Sequence, residues 1–398
     1  MPLASQRRTV VSIVLAVVAI AAVAVASVYF IENRNAAQSS APSPTAASPT
    51  ALPPAPPPAC GEGDALLAAM STRDKLAQLL MVGVTGADDA RTVVATQHVG
   101  GIFLGSWTDM SMLTDGSLTE IAASADPLPL AVSVDEEGGR VQRLAKLIGD
   151  QPSPRVLART HTPAEVHDIA KTRGEAMRKL GITVDFAPVV DVTTEADDEV
   201  IGDRSFGSDP ATVVEYAGAY AQGLRDAGLL PVLKHFPGHG HGSGDSHLGD
   251  VTTPPLEQLK ASDLIPYRTL TTEAPVAVMV GHLEVPGLTA DEPTSLTPAA
   301  YDLLRSGDYG GPPFDGPVFT DDLSSMKAIS DHFGVPDAAL RALQSGADVA
   351  LWVTTDEVPA VLDRLTAAVD SGELDAAKVD RSVLRVAGFK GKSPRCGG

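Results

Sequence analysis

The segment Lys234-His235-Phe236-Pro237-Gly238-His239-Gly240-His241-Gly242-Ser243-Gly244-Asp245-Ser246-His247 concentrates groups that can move a proton. Four glycines between residues 238 and 244 mark a mobile loop. Asp245 and His247 stand two positions apart, and in an extended segment such residues project to the same side. The carboxylate then reaches one ring nitrogen and leaves the other free. That pairing fixes the ring and favours imidazolium, which can protonate a leaving group. A second segment, Phe319-Thr320-Asp321-Asp322-Leu323-Ser324-Ser325-Met326, places Asp321 at the end of an apolar run. A carboxylate there can attack an anomeric carbon or steady an oxocarbenium ion. Its neighbour Asp322 diverges from it and reads as a loop or capping residue.

Two further segments carry binding groups. In Asp135-Glu136-Glu137-Gly138-Gly139-Arg140-Val141-Gln142-Arg143, two glycines permit a sharp turn, and Asp135 suits bidentate hydrogen bonding to vicinal hydroxyls. The same run also reads as a charged surface stretch. Ile201-Gly202-Asp203-Arg204-Ser205-Phe206-Gly207 is a loop that offers Arg204. The histidine-rich loop has a second reading, because His239, His241, Asp245 and His247 are all metal-ligand types. In metal-dependent amidohydrolase barrels an H-x-H pair follows the first strand and an Asp the last. Here the pair follows the fifth strand and nothing ionisable ends the eighth before Asp356. No metal is therefore assigned.

Such groups need a scaffold that brings distant segments together. Short β-rich runs recur at Leu80–Val84, Gly101–Leu104, Leu130–Val134, Thr183–Pro188, Leu230–Lys234, Val276–Val280, Pro317–Thr320 and Val349–Val353. Helix-compatible stretches such as Pro163–Leu180, Pro210–Ala227 and Ala338–Ser345 lie between them. Apolar strands alternating with helices imply a parallel sheet covered on both faces. Eight such units predict an α/β fold, a (β/α)8 TIM barrel; an open doubly wound sheet is the competing architecture. Neither a G-x-G-x-x-G after a strand nor a P-loop occurs, so nothing points to a nucleotide. In a barrel the active groups follow strand C-termini, and Asp135, Asp191, His235, His282 and Asp321 occupy those places.

KHFPGHG-x4-DSH, taken with DEEGGRVQR, ITVDFAPVVDV, IGDRSFG and FTDDLS, resembles glycoside hydrolase family 3, in its β-N-acetylglucosaminidase branch. The resemblance covers roughly residues 64–390. It implies that Asp321 is the nucleophile and His247 the general acid/base assisted by Asp245. It also implies sugar contacts from Asp135, Arg143, Arg204, Lys234 and His235, and no cofactor. The chain departs from that pattern at Glu136, where relatives often have Gln, at His241, where they often have Asp, and in an extra serine before Met326. The implied reaction is retaining removal of terminal β-linked N-acetylglucosamine from cell-wall fragments or chitooligosaccharides, through a covalent glycosyl-enzyme. Neutral imidazole does not repel anions, so phosphorolysis is a variant of the same reaction. A metal-dependent hydrolase and a non-catalytic wall-sugar-binding protein are the remaining alternatives.

The chain has 398 residues, with 44% apolar and 20% charged residues and a net charge of −20, a globular composition. So acidic a protein lacks the basic stripe that nucleic acid demands. Residues 1–59 hold Arg7, Arg8, Arg34 and a single acid, Glu32, so the remainder carries −22. Val10–Ile31 is uncharged over 22 residues, long enough for a ~30 Å hydrocarbon core. With Arg7 and Arg8 before it, the expectation is an N-terminal membrane anchor, or a signal segment cleaved near Ala26, with the rest exported. Residues 1–34 are read as the cytoplasmic tip and this segment, 35–59 as a Pro/Ala/Ser/Thr linker, and 60–398 as one barrel domain acting as a monomer. Cys60 and Cys396 frame that domain, and in an oxidising compartment they are expected to form one disulfide.

Overall fold

A computed structural model describes residues 62–391. Eight parallel strands close into a barrel in sequence order: β1 Leu80–Gly83, β2 Gly101–Leu104, β3 Ala131–Val134, β4 Val184–Asp185, β5 Leu230–Phe236, β6 Ala277–Val280, β7 Val318–Asp322 and β8 Val349–Trp352. All eight predicted strands are present, and the closure of β8 onto β1 excludes the open sheet. The apolar segment Val10–Ile31, Cys60 and Cys396 lie outside the described residues. Among the described residues, no helix is long and apolar enough to cross a membrane.

Outer helices follow the strands in turn: α1 Ala87–Gln97, α2 Ser117–Ala123, α3 Pro163–Lys179, α4 Pro210–Asp226, α5 Ile265–Leu270, α6 Pro298–Ser306, α7 Val335–Ser345 and α8 Val358–Ser371. Local sequence explains where the long ones begin. Thr162 and Glu165 form a capping box at α3, with Pro163 in the first turn. Asp209 caps α4 by accepting from Ala211 and Thr212 N–H, again with a proline next. These two helices approach closely at Gly223, where a Cβ would lie 2.4 Å from the His167 carbonyl oxygen. Any side chain there would force them apart.

The barrel interior is filled by aromatic side chains. Phe103 on β2, Phe186 just after β4 and Phe319 on β7 meet edge-on or tilted, with ring centroids 5.8 and 5.6 Å apart. They exclude water and form the floor beneath the C-terminal mouth. Irregular pairing marks two strands at that mouth. Register shifts occur on β5 between Leu233 and Phe236, and on β7 near Asp322. Bulges of this kind re-aim side chains, and here they fall at Lys234, His235 and Asp321. The predicted β4 shortens to Val184–Asp185 because Pro188 has no N–H to donate. Pairing resumes as a bridge between Val189 and Lys234.

Candidate active site

A cleft of about 460 Å³ opens at the C-terminal end of the strands. Its wall includes Asp135, Arg143, Arg204, Lys234, His235, Asp245, His247 and Asp321, so all the residues singled out for catalysis or sugar contact converge there. Two of the five strand-end residues do not line it. Asp191 and His282 are fully buried and stand behind their neighbours.

Asp191 works through its neighbours. Its Oδ1 accepts the backbone N–H of His235 at 3.2 Å and of His239 at 2.8 Å, and its Oδ2 meets His235 Nδ1 at 2.7 Å. Burial opposes ionisation of this carboxyl, but the His235 ring and these bonds hold it below its ordinary value. The other ring nitrogen of His235, Nε2, lies 3.4 Å from Arg204 Nη2. His282 buttresses β7. Its Nε2 donates to the Asp322 carbonyl at 2.8 Å while its Nδ1 meets Ser295 Oγ at 2.7 Å. This fixes the peptide that follows Asp321. The carboxylate of Asp321 accepts the Asp322 N–H at 2.9 Å. Burial opposes its ionisation, yet the His235 and His282 rings, that N–H and Lys234 bring it down to about 2. It is an anion at neutral pH, as a nucleophile must be.

The cationic wall is organised by a residue that sequence reasoning passed over. Glu137 is fully buried and accepts both Arg204 Nε at 2.8 Å and Nη2 at 2.9 Å, and it pairs with Lys234 Nζ at 2.6 Å. Lys234 also donates to Asp135 at 2.6 Å. Burial disfavours the Glu137 anion, but the two cations hold its carboxyl far below the carboxylate range. The Glu136-Glu137 pair is therefore no surface run. The glycines after it were the available signal, since a sharp turn at a strand end sends its charges inward.

Glu136, the departure from the common Gln, is equally buried. Its Oε2 accepts Arg143 N–H at 2.7 Å and Leu144 N–H at 2.9 Å, while its Oε1 pairs with Arg173 from α3. It thus holds the backbone of Arg143, whose Nε has no hydrogen-bond partner among the described residues and whose side chain lines the cleft. Glu136→Gln would leave Arg173 buried without its counter-charge. The expected cost is about 3 kcal/mol in urea unfolding, and Glu136→Gln with Arg173→Met should recover most of it. Equal stability of the single variant and the parent would refute this coupling.

The Asp245–His247 pair is present, with Nδ1 2.7 Å from Asp245 Oδ1, but not by the predicted geometry. The segment turns rather than extends, and the same Oδ1 also accepts the His247 N–H at 3.0 Å. One carboxylate oxygen thus closes the turn and orients the ring, an Asx-type arrangement. The loop is seated on its neighbours. Ser246 O accepts Ala328 N–H at 3.2 Å from the segment after β7, and Thr253 N–H donates to Glu284 O at 2.9 Å after β6. Gly240 permits this path, because a Cβ there would meet Val192 O at 2.1 Å. The His247 side chain keeps 62% of its surface exposed, free to meet a substrate.

The remaining histidines of the loop separate. His241 binds Asp263 at 2.9 Å. His239 is buried on the cleft wall, its Nδ1 has no partner among the described residues, and burial, with the neighbouring His235, pushes its pKa below the ordinary histidine value. Among the described residues, no three His, Cys, Asp or Glu side chains gather as a metal-ligand set. Of the two expectations for Asp322, a loop or a capping residue, the loop holds: it closes a turn by accepting Ser324 and Ser325 N–H at 2.8 and 3.1 Å, and it caps no helix among the described residues. The extra serine is thereby absorbed into a turn behind the nucleophile position.

A closed barrel with a carboxylate on β7 and an Asp–His pair on the β5 loop, facing one cleft, is that of a (β/α)8 glycoside hydrolase. Residues 71–389 match the model of the glycosyl hydrolase family 3 N-terminal domain, and the chain belongs to that family. It is 68% identical over 343 residues to the β-hexosaminidase LpqI of Mycobacterium tuberculosis, covering 86% of this chain and 88% of that protein. A crystal structure of a glycosyl hydrolase family 3 member from Mycobacterium smegmatis superimposes with a TM-score of 0.81 at 72% identity, covering 81% of this chain and 98% of that one. A family 3 β-N-acetylglucosaminidase from Paenibacillus gives 0.76 at 34% identity, covering 83% of this chain and 64% of that one.

Proposed function

We propose that this protein is an exported, retaining exo-β-N-acetylglucosaminidase acting on cell-wall fragments. The observation that carries the reading is one cleft wall that holds both Asp321 and the Asp245–His247 pair. Asp321 attacks the anomeric carbon while His247 protonates the glycosidic oxygen. His247 then takes a proton from water, which releases the sugar from Asp321. Arg204, Lys234, His235 and Asp135 hold the sugar hydroxyls and acetamido group, and Arg143 offers an Nε that has no partner among the described residues. The enzyme should release N-acetylglucosamine from an aryl β-N-acetylglucosaminide, with the β-anomer appearing first by NMR. The α-anomer appearing first would overturn retention.

Val10–Ile31 anchors or exports the domain, and residues 35–59 space it from the membrane. The helix beginning two residues after Cys60 packs against the helix that ends at Phe389, seven residues before Cys396. That neighbourhood supports a terminal disulfide. Mass spectrometry without reductant should yield a linked Cys60–Cys396 peptide, and free thiols at both in the exported protein would refute it.

A further inference from the structure

Four large apolar side chains stand exposed among the described residues: Trp107, Leu147, Val156 and Leu248. Trp107 is the one aromatic of the four, with 46% of its surface open. Leaving an indole in water forgoes a large burial energy. No step of the proposed reaction involves it.

Its place follows from the strand before it. Phe103 on β2 points into the barrel, where it meets Phe186. Residues two apart on a strand face the same side, so Gly105 faces the interior one step nearer the mouth. The Trp107 ring fills that space. A Cβ on Gly105 would lie 2.3 to 2.4 Å from three atoms of its six-membered ring. The ring also meets Phe103 edge-on, with centroids 5.9 Å apart. The indole thus stands on the aromatic floor, inside the mouth. The turn that carries it is pinned to the end of β1. Thr108 Oγ1 donates to Val84 O at 2.6 Å and accepts Gly105 N–H at 3.0 Å, and Asp109 N–H donates to Thr85 O at 2.9 Å. A surface already held rigid loses little entropy on binding.

The indole has a neighbour in the cleft. Leu104 on β2 pairs with Val134 on β3, so Gly105 and Asp135 leave their strands side by side, ~4.8 Å apart. Asp135 lines the cleft. In the closed order of eight strands, β3 lies across the barrel from β7, which carries Asp321. A sugar with its anomeric carbon at Asp321 therefore directs its other end toward Asp135 and Trp107. That end bears hydroxyls, which suit the carboxylate, and C–H groups, which suit the indole.

We infer that Trp107 is a substrate-binding residue whose indole packs on the C5–C6 edge of the terminal sugar, away from the scissile bond. The inference rests on the glycosidase reading and adds a specificity element to that cleft. Asp135 reads the hydroxyls of this end, and Trp107 reads its apolar part. Gly105 is then required, because a side chain there displaces the ring.

The protein holds two tryptophans, and the other, Trp352, is fully buried. Quenching of fluorescence by acrylamide therefore reads Trp107. Saturating N-acetylglucosamine should shield the emission of the parent and leave that of Trp107→Phe unchanged. The second readout is kcat/KM for an aryl β-N-acetylglucosaminide relative to the matching N-acetylxylosaminide, which lacks the C6 hydroxymethyl group. This preference should fall about tenfold in Trp107→Ala, the scale of one lost aromatic contact, and less in Trp107→Phe. Gly105→Ala should reproduce the loss with the indole still present. Absence of shielding, or an unchanged preference in Trp107→Ala or Gly105→Ala, overturns the inference and leaves the glycosidase reading standing. A parent inactive on the aryl N-acetylglucosaminide removes that reading, and the inference with it.

Discussion

Asp321→Asn should lower kcat on an aryl β-N-acetylglucosaminide by roughly 10⁴-fold or more, the scale seen when one member of a catalytic set is lost. The amide keeps the shape but cannot attack the anomeric carbon. The fold should survive, because the Asp322 N–H and the phenylalanine floor remain in place. The same substitution carries a pH signature. In the folded chain the Asp321 carboxyl sits at about 2, against an ordinary 3.8. A depressed carboxyl contributes stability that is present above its unfolded value and is lost as pH falls through its folded one. Unfolding free energies of parent and Asp321→Asn should therefore converge between about pH 4 and pH 2. Near-normal turnover by the variant would end the assignment.

His247→Ala should cost roughly 10²–10⁴-fold in kcat, the usual range for a positioned acid or base. The size should depend on the leaving group. A dinitrophenolate departs without a proton, so glycosylation is spared for such substrates and their turnover becomes limited by attack of water. A small anion such as azide needs no general base and should accelerate that second step. Asp245→Asn should produce a weaker form of the same pattern, because the turn that Asp245 closes would lose its charged acceptor for both the ring and the His247 N–H. A uniform loss for good and poor leaving groups, without azide acceleration, would contradict the role.

Much of the architecture could be read in advance. The β-rich runs needed only alternation with helices to specify a barrel, and helix starts were written in Thr162-Pro163 and Asp209-Pro210. That Asp135, His235 and Asp321 meet on one cleft wall was legible because a barrel gathers its strand ends at one mouth. What was not legible lies in tertiary pairing. Nothing local to Glu137 announces two cations from segments 67 and 97 residues away, and nothing local to Glu136 announces Arg173. Asp191 and His282 looked like members of the cleft, since strand position gives the end of the barrel but not the direction of a side chain. The Asp245–His247 pair was anticipated for the wrong reason. Period-two alternation suggested it, whereas a turn closed by the carboxylate creates it.

The most direct test of the central claim is peptide mapping of the enzyme after rapid quenching with a fluorinated N-acetylglucosaminide that slows deglycosylation. A glycosyl adduct is expected on the peptide from Phe319 to Met326, located at Asp321 and absent from Asp321→Asn. An adduct on another residue, or rapid turnover with no adduct at all, would contradict it.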